Sequence, residues 1–324
     1  MPATICWLKF EAIYSDAERN GMNYKICKLE FNTPVHFGNG ALSDTEKTFC
    51  ADTLFSALYI EALKIGQADE LYHRAKSGTL LVSDAFPYVR DEYYLPKPMI
   101  YIEPKDVGDS VQKKRYKKLQ YVPVSMMQAY LNGMMPKSGW ELDELGDESS
   151  QVMAAVRREE DTLPYVVGNF HFSKGSGLYF ILAYEDDNDK YLAEDLLVNL
   201  SFAGIGGKRS GGKGRFDFKY GKNTTELENL LKNKTDGRSL LLSTALPKDE
   251  ELTQALQGSS YLLQKRSGFV LSETYAPEQR KKRDLFTMQA GSCFQHRFEG
   301  DIYDVSMGGA HPVYRYAKAI FAQI

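Results

Sequence analysis

Six glycines, Gly204, Gly206, Gly207, Gly211, Gly212 and Gly214, crowd into eleven positions together with Lys208, Arg209, Ser210 and Lys213, and Arg215 follows at once. Glycine lets backbone N–H groups come close to a ligand and turn through positive φ, which builds concave nests for anions. Lysine and arginine add charge, and Ser210 adds a hydroxyl donor. The chemistry this combination suits is the grip of a phosphate chain. Two familiar phosphate motifs do not fit it. Gly207, Gly212 and Lys213 fall at P-loop spacing, but Gly214 stands where a Ser or Thr must hold magnesium. A dinucleotide fingerprint started from Gly204 and Gly206 meets Arg209 where its third glycine belongs.

Other basic runs point the same way. Lys113, Lys114, Arg115, Lys117 and Lys118 surround Tyr116, and Arg280, Lys281, Lys282 and Arg283 form a third cluster. The acids gather elsewhere, at 141–148, 159–161 and 185–189, so a net charge of −3 conceals separated blocks of opposite sign. Such a layout suits a protein with one face on a polyanion. The 324 residues suggest two domains, and 43% hydrophobic with 26% charged residues is globular composition. Cys6, Cys27, Cys50 and Cys293 lie far apart, which excludes a zinc ribbon or a dense disulfide scaffold and favours a reducing, cytoplasmic setting. His73, His171, His296 and His311 lack metal-ligand spacing, and no metal or organic cofactor is expected.

The elements that must position the loop follow from periodicity. Residues 24–31 alternate as a strand, with Cys27, Leu29 and Phe31 on one face. A loop with Pro34, His36, Phe37, Gly38 and Gly40 comes next. Asp52 is expected to cap a helix running to about Ile65, whose stripe is Leu54, Phe55, Leu58, Tyr59, Ala62 and Leu63. Strands are expected over 79–89 and 93–102, then a long insertion over about 103–164 with one short helix near 124–132. Residues 165–172 and 177–184 are expected to pair as a hairpin, a helix to span 191–202, and a strand to cover 215–220 with Phe216, Phe218 and Tyr220 inward. The order β-α-β-β-(insert)-β-α-β over 22–222 is that of a ferredoxin-like, RRM-like sandwich in an α+β protein. Residues 223–324 read as a smaller, β-rich second domain, and 1–21 as an N-terminal extension before a functional start at Met22.

A glycine-rich basic loop between the last helix and last strand of such a domain resembles the RAMP superfamily of CRISPR RNA-binding proteins. Pro34 to Gly38 with Ala51 to Leu58 resembles the family's first loop and helix. The segments 265–270, 281–285, 290–294 and 311–316 resemble the second half of the subunit that caps the five-prime end of the guide RNA in type III-A (Csm) complexes. The resemblance implies a non-catalytic role in antiviral defense. The chain would hold the guide's five-prime handle, dock the large signalling and nuclease subunit, adjoin a RAMP backbone subunit, and present its insertion as a thumb to the guide–target duplex. It also implies a degenerate ferredoxin-like second domain. The residues matched to RNA are His36, Phe37 and Gly38 in the first loop, 204–215 in the glycine loop, Lys113, Arg115 and Lys117 in the insertion, and Arg266, Lys282 and Arg283 in the second half, with Phe37 stacking on a base. The competing reading is a metal-independent endoribonuclease that processes precursor guide RNA, with His36 as general acid or base and Lys208 steadying the phosphate. Asp44 and Glu46 are the candidates for a metal-assisted cut of target RNA.

Overall fold

Alternation of buried and exposed positions sets the central strand. In a computed structural model, which describes residues 21–105, 114, 117–134, 142–157, 160–233 and 237–324, β1 covers Asn23–Phe31 and buries Cys27 and Leu29. These two lie opposite Phe180 and Leu178 of β8 (Ser176–Tyr184), an all-buried strand. The first helix, α1 (Ala51–Lys64), buries Leu54, Phe55, Leu58 and Ala62 of the expected stripe, while Tyr59 is half-buried and Leu63 is exposed; α2 (Ala68–Ser77) follows and ends on left-handed Gly78. Next come β2 (Leu80–Val82), β3 (Phe86–Val89) and β4 (Glu92–Pro96), so the strand expected over 79–89 is broken in two at 83–85. The break has a use: Ser83 still bonds Ile181 of β8, through its N–H and its hydroxyl, while Asp84 turns inward as a buried acceptor.

Within the insertion, β5 (Tyr121–Pro123) joins β4, and a short helix α3 (Met127–Leu131) stands where one was expected. Two long strands follow, β6 (Gly146–Arg157) and β7 (Glu160–Phe172), paired from Gly146–Phe172 to Arg157–Glu160. The expected pairing of 165–172 with 177–184 is therefore corrected: β7 pairs with β6, while β8 pairs with β1 and β3. The reason is visible in β6. Its side chains stand largely in solvent, Val152 being 70% exposed, so no buried stripe marks it as a strand.

The helix α4 (Asp187–Ala203) begins four residues before the expected start at Tyr191, because the acidic block there is its cap. Asp186 accepts from the Asp189 N–H, and the Asp189 carboxylate accepts from the N–H of Asp186. Helix α4 leads through the glycine loop to β9 (Phe216–Tyr220), which buries Phe216 but leaves Tyr220 exposed, against the expected alternation. Strands run β5-β4-β3-β8-β1-β9 across the main sheet, with β2 also on β8, and every pairing is antiparallel.

The remaining residues form α5 (Thr225–Lys232), β10 (Ser239–Leu241), α6 (Asp249–Ala255), β11 (Leu263–Arg266), β12 (Leu285–Met288), β13 (Cys293–Phe294), β14 (Gly300–Asp304), β15 (Tyr314–Lys318) and β16 (Phe321–Gln323). They make the sheet β13-β10-β16 and the ribbons β11-β12 and β14-β15, all antiparallel, in an α+β whole. One continuous core includes Leu240, Leu242, Ile302, Tyr316 and Ile320 together with residues of the main sheet. Tyr316 stacks on Phe55 of α1 at 5.1 Å and bonds the backbone of Val82 through its hydroxyl. The expected extension at 1–21 falls, except for Gly21, outside the described residues.

Candidate nucleic-acid interface

The glycine loop is built against the first loop of the chain. Gly214 donates to the Pro34 carbonyl at 2.9 Å and accepts from Ile205 at 3.0 Å; Gly207 donates to the His36 carbonyl at 2.8 Å. Gly214 sits at φ +77, and a Cβ there would drive into the Ile205 carbonyl; Gly206, at φ +100, has the His36 carbonyl and the Phe37 ring in the same position. These glycines are needed for close packing of two loops. Gly211 and Gly212, at the far turn, have open space instead.

The four loop cations are held differently. Arg215 is exposed at the head of β9, and its N–H donates to Thr33 Oγ1 at 2.9 Å. Arg209 is half-buried on a cleft wall. Lys208 adopts φ +58, and its ammonium lies 4.8 Å from the centre of the Tyr165 ring and 3.4 Å from the Tyr165 hydroxyl. Lys213 is only 9% exposed and donates to Gln151 Oε1 at 3.0 Å. Among the described residues no carboxylate pairs with any of the four, whereas Lys219 on β9 is matched by Glu30 at 2.7 Å. A cation removed from water without a counter-ion is a costly arrangement that a bound anion relieves.

Beside the loop lies a cleft of about 900 Å³. Gly206, Gly207 and Arg209 form one wall, Gly38 and Asn39 the rim, Thr53 and Ser56 of α1 the floor, and Gln264 and Arg266 of β11 the opposite wall. The cleft thus lies between the first loop, the glycine loop and the second half of the chain.

On that far side the basic residues are joined to an acid. Asp52 is 1% exposed and accepts from Arg266 Nε at 3.0 Å, from Arg266 Nη2 at 2.6 Å, and from Arg315 Nη1. Burial pushes the Asp52 carboxyl up, but the two guanidinium groups outweigh it and hold it below the usual carboxylate range. Asp52 was expected as a helix cap; the N-cap of α1 is Cys50, which makes no side-chain cap bond, and Asp52, inside the first turn, is an ion-pair partner instead. Arg266, expected on RNA, lines the cleft with its guanidinium paired to Asp52. Lys282 is half-buried beside this group, and burial followed by the nearby Arg315 charge lowers its pKa. Arg283 is exposed, and one of its amines donates to the Asp304 carbonyl at 3.3 Å.

Two expected contacts need correction. Phe37 is 5% exposed and packs edge-on against Phe31 and Phe49, so its ring is core and cannot stack on a base. His36 is 4% exposed, and its Nδ1 lies 2.7 Å from the Gly168 carbonyl, so the ring is enclosed and one of its nitrogens is engaged. The His36 carbonyl accepts from Gly207 of the glycine loop, and the Phe37 carbonyl accepts from Glu46. Lys113 and Arg115 lie outside the described residues, and Lys117 is exposed. Asp44 accepts from Asn39 at 2.6 Å in an exposed turn, with Glu46 3.5 Å from the same amide. No group of three or more His, Cys, Asp or Glu suited to a metal occurs among the described residues. Cys27, Cys50 and Cys293 are free thiols, and burial raises Cys50 to about 12.

Periodicity did not reveal Gln151, Tyr165 or Asp84. Asp84 accepts from Ala51 N at 2.7 Å, Thr244 N at 2.6 Å and Thr244 Oγ1 at 2.9 Å, tying α1 to the second half. An acid inside a run of buried apolar residues was the available signal.

Known proteins decide the family. The CRISPR Csm4 protein of Mycobacterium tuberculosis is 37% identical over 304 residues, which cover 93% of this chain and 97% of the relative. The chain belongs to the Csm4 family. The Csm4 protein of Streptococcus thermophilus is 35% identical over 314 residues, 94% of this chain and 99% of its own. A model of the CRISPR Csm4 C-terminal domain matches residues 234–324. Among solved structures, the Csm3–Csm4 subcomplex of a type III-A CRISPR-Cas interference complex has a chain sharing the fold at TM-score 0.63 and 17% identity, over 93% of this chain and 99% of that one. A chain of a Csm1–Csm4 cassette in complex with cA4 matches at TM-score 0.58 and 20% identity, over 93% and 98%. Among the described residues, no helix is long and apolar enough to cross a membrane.

Proposed function

We propose that this Csm4-family chain is a non-catalytic subunit that holds the five-prime handle of a guide RNA across its glycine loop and cleft, inside a type III-A antiviral complex in the cytoplasm. The observation that carries the reading is the set of loop cations, Lys208, Arg209, Lys213 and Arg215, which have no carboxylate partner among the described residues and stand beside a cleft of about 900 Å³. Unpaired RNA suits such a site because its phosphates and base edges are both accessible. The enclosure of His36 supports a binding role over precursor cleavage.

In this reading the main sheet with α1 and α4 is a ferredoxin-like domain over 22–222. The strand order β9-β1-β8-β3 supports it, since β8 and β1 each lie between strands joined by a helical crossing. Residues 223–324 are its degenerate second copy. The hairpin β6-β7 is the thumb, and Lys117, Lys282 and Arg283 supply further phosphate contacts. The large signalling and nuclease subunit and a RAMP backbone subunit are its neighbours, as Csm1 and Csm3 are for the solved relatives.

The test is the salt dependence of binding to a short unpaired RNA. Four cations on four phosphates contribute a log–log slope of roughly 2.8 in magnitude, at about 0.7 each. Replacing Lys208, Arg209, Lys213 and Arg215 together with Ala should flatten the slope by that amount while the melting temperature stays close to that of the parent. An unchanged slope refutes the site.

A further inference from the structure

We propose that Gln151 and Tyr165 of the β6-β7 hairpin are positioning residues for RNA binding: they fix the Lys213 and Lys208 ammonium groups through uncharged acceptors and so leave the cationic charge available to phosphate. This rests on the RNA reading above and deepens it. Gln151 and Met153 lie two positions apart on β6, and Tyr165 is directly opposite Met153, so Gln151 and Tyr165 share one face of the hairpin. That face meets the glycine loop at two points, Gln151 Oε1 with Lys213 at 3.0 Å and the Tyr165 ring with Lys208 at 4.8 Å.

The partner chemistry matters. A lysine left free in water wastes order on binding, whereas one held by a carboxylate has its charge cancelled, as Lys219 does with Glu30. An amide oxygen and an aromatic face hold the ammonium and cancel nothing. Lys213 is nine-tenths buried, so its direction is set by this contact and not by solvent. The hairpin therefore belongs to the RNA site although its own residues at these positions carry no charge.

The experiment measures salt dependence of binding to a labelled, unstructured RNA by the full-length protein, with melting curves for each variant. Lys213→Ala should flatten the slope by about 0.7. Gln151→Glu should flatten it equally, with a melting temperature no lower than the parent's, because the new carboxylate takes up the lysine's charge. Gln151→Met should keep the slope and lose affinity severalfold. Val152→Glu, which adds the same charge on the other face of β6, should leave the slope alone. If Lys213→Ala flattens the slope and Gln151→Glu does not, or if Val152→Glu flattens it as much, the positioning role is overturned and the RNA site stands. If Lys213→Ala changes nothing, Gln151 has no RNA-binding charge to position and the proposal falls, while the four-cation variant decides the RNA site.

Discussion

Lys208 and Lys213 of the glycine loop meet uncharged partners, whereas Arg266 and Arg315 of the second half converge on the buried carboxylate of Asp52. In the sequence the loop cations stand in one basic run, whereas Arg266 and Arg315 lie far apart in the second half. In the loop no carboxylate pairs with the cations among the described residues, and Arg209 lines the cleft; in the second half two guanidinium groups share one buried carboxylate, which joins α1 to β11 and β15. A matched, buried charge is expensive to expose and serves folding. A surplus charge is available to a ligand. The number of cations therefore says little until their partners are known.

The strongest way to break this comparison is Asp52→Ala. It leaves two guanidinium groups facing each other without their acid, and a loss of about 3–5 kcal/mol in denaturant unfolding is expected. Stability near the parent's would mean that Arg266 and Arg315 are free cations like those of the loop.

A second effect is read from pH. Burial lifts the Asp84 carboxyl to about 6, with the N–H donors of Ala51 and Thr244 opposing the rise. Its pKa in the folded chain lies above the ordinary value of 3.8, so the folded state holds the proton more firmly. The stabilisation from that proton is complete below about pH 4 and is lost as pH rises through about 6. Asp52 has the opposite sign, contributing above its ordinary value and losing that contribution only in stronger acid. Melting curves between pH 4 and 7 should show the parent gaining stability relative to Asp84→Asn as pH falls. A constant difference would contradict the buried, raised carboxyl.

The smallest effect is the sharpest discriminator. Arg209→Ala should flatten the RNA salt slope by about 0.7, whereas Arg266→Ala should leave the slope unchanged and lower the melting temperature. Equal flattening by both variants would erase the distinction between the two regions.

Much of the scaffold was legible in the letters. Leu54, Phe55, Leu58 and Ala62 of α1 are buried along one stripe, and Cys27 and Leu29 are buried two apart in β1, so burial leaves a period that can be counted. The same logic failed for β6, whose side chains lie mostly in water, and for Phe37, where a ring beside glycines in a loop resembled a stacking platform but lies in the core. The loop's composition raised the expectation of a grip on phosphate, but it did not show that Gly206 and Gly214 let two loops touch.

What the sequence determined by itself was the set of local preferences: helix stripes, the capping acids of α4, the left-handed turns open to glycine, and the clustering of positive charge. What only the tertiary structure decided was the partner of each charge. Asp52 and Arg315 lie 263 positions apart, and Gln151 and Lys213 lie 62 apart. No local pattern links such pairs, because their meeting depends on the chain crossing between sheet and ribbon, and the free energy of a charge is set by what stands within a few ångströms of it in space.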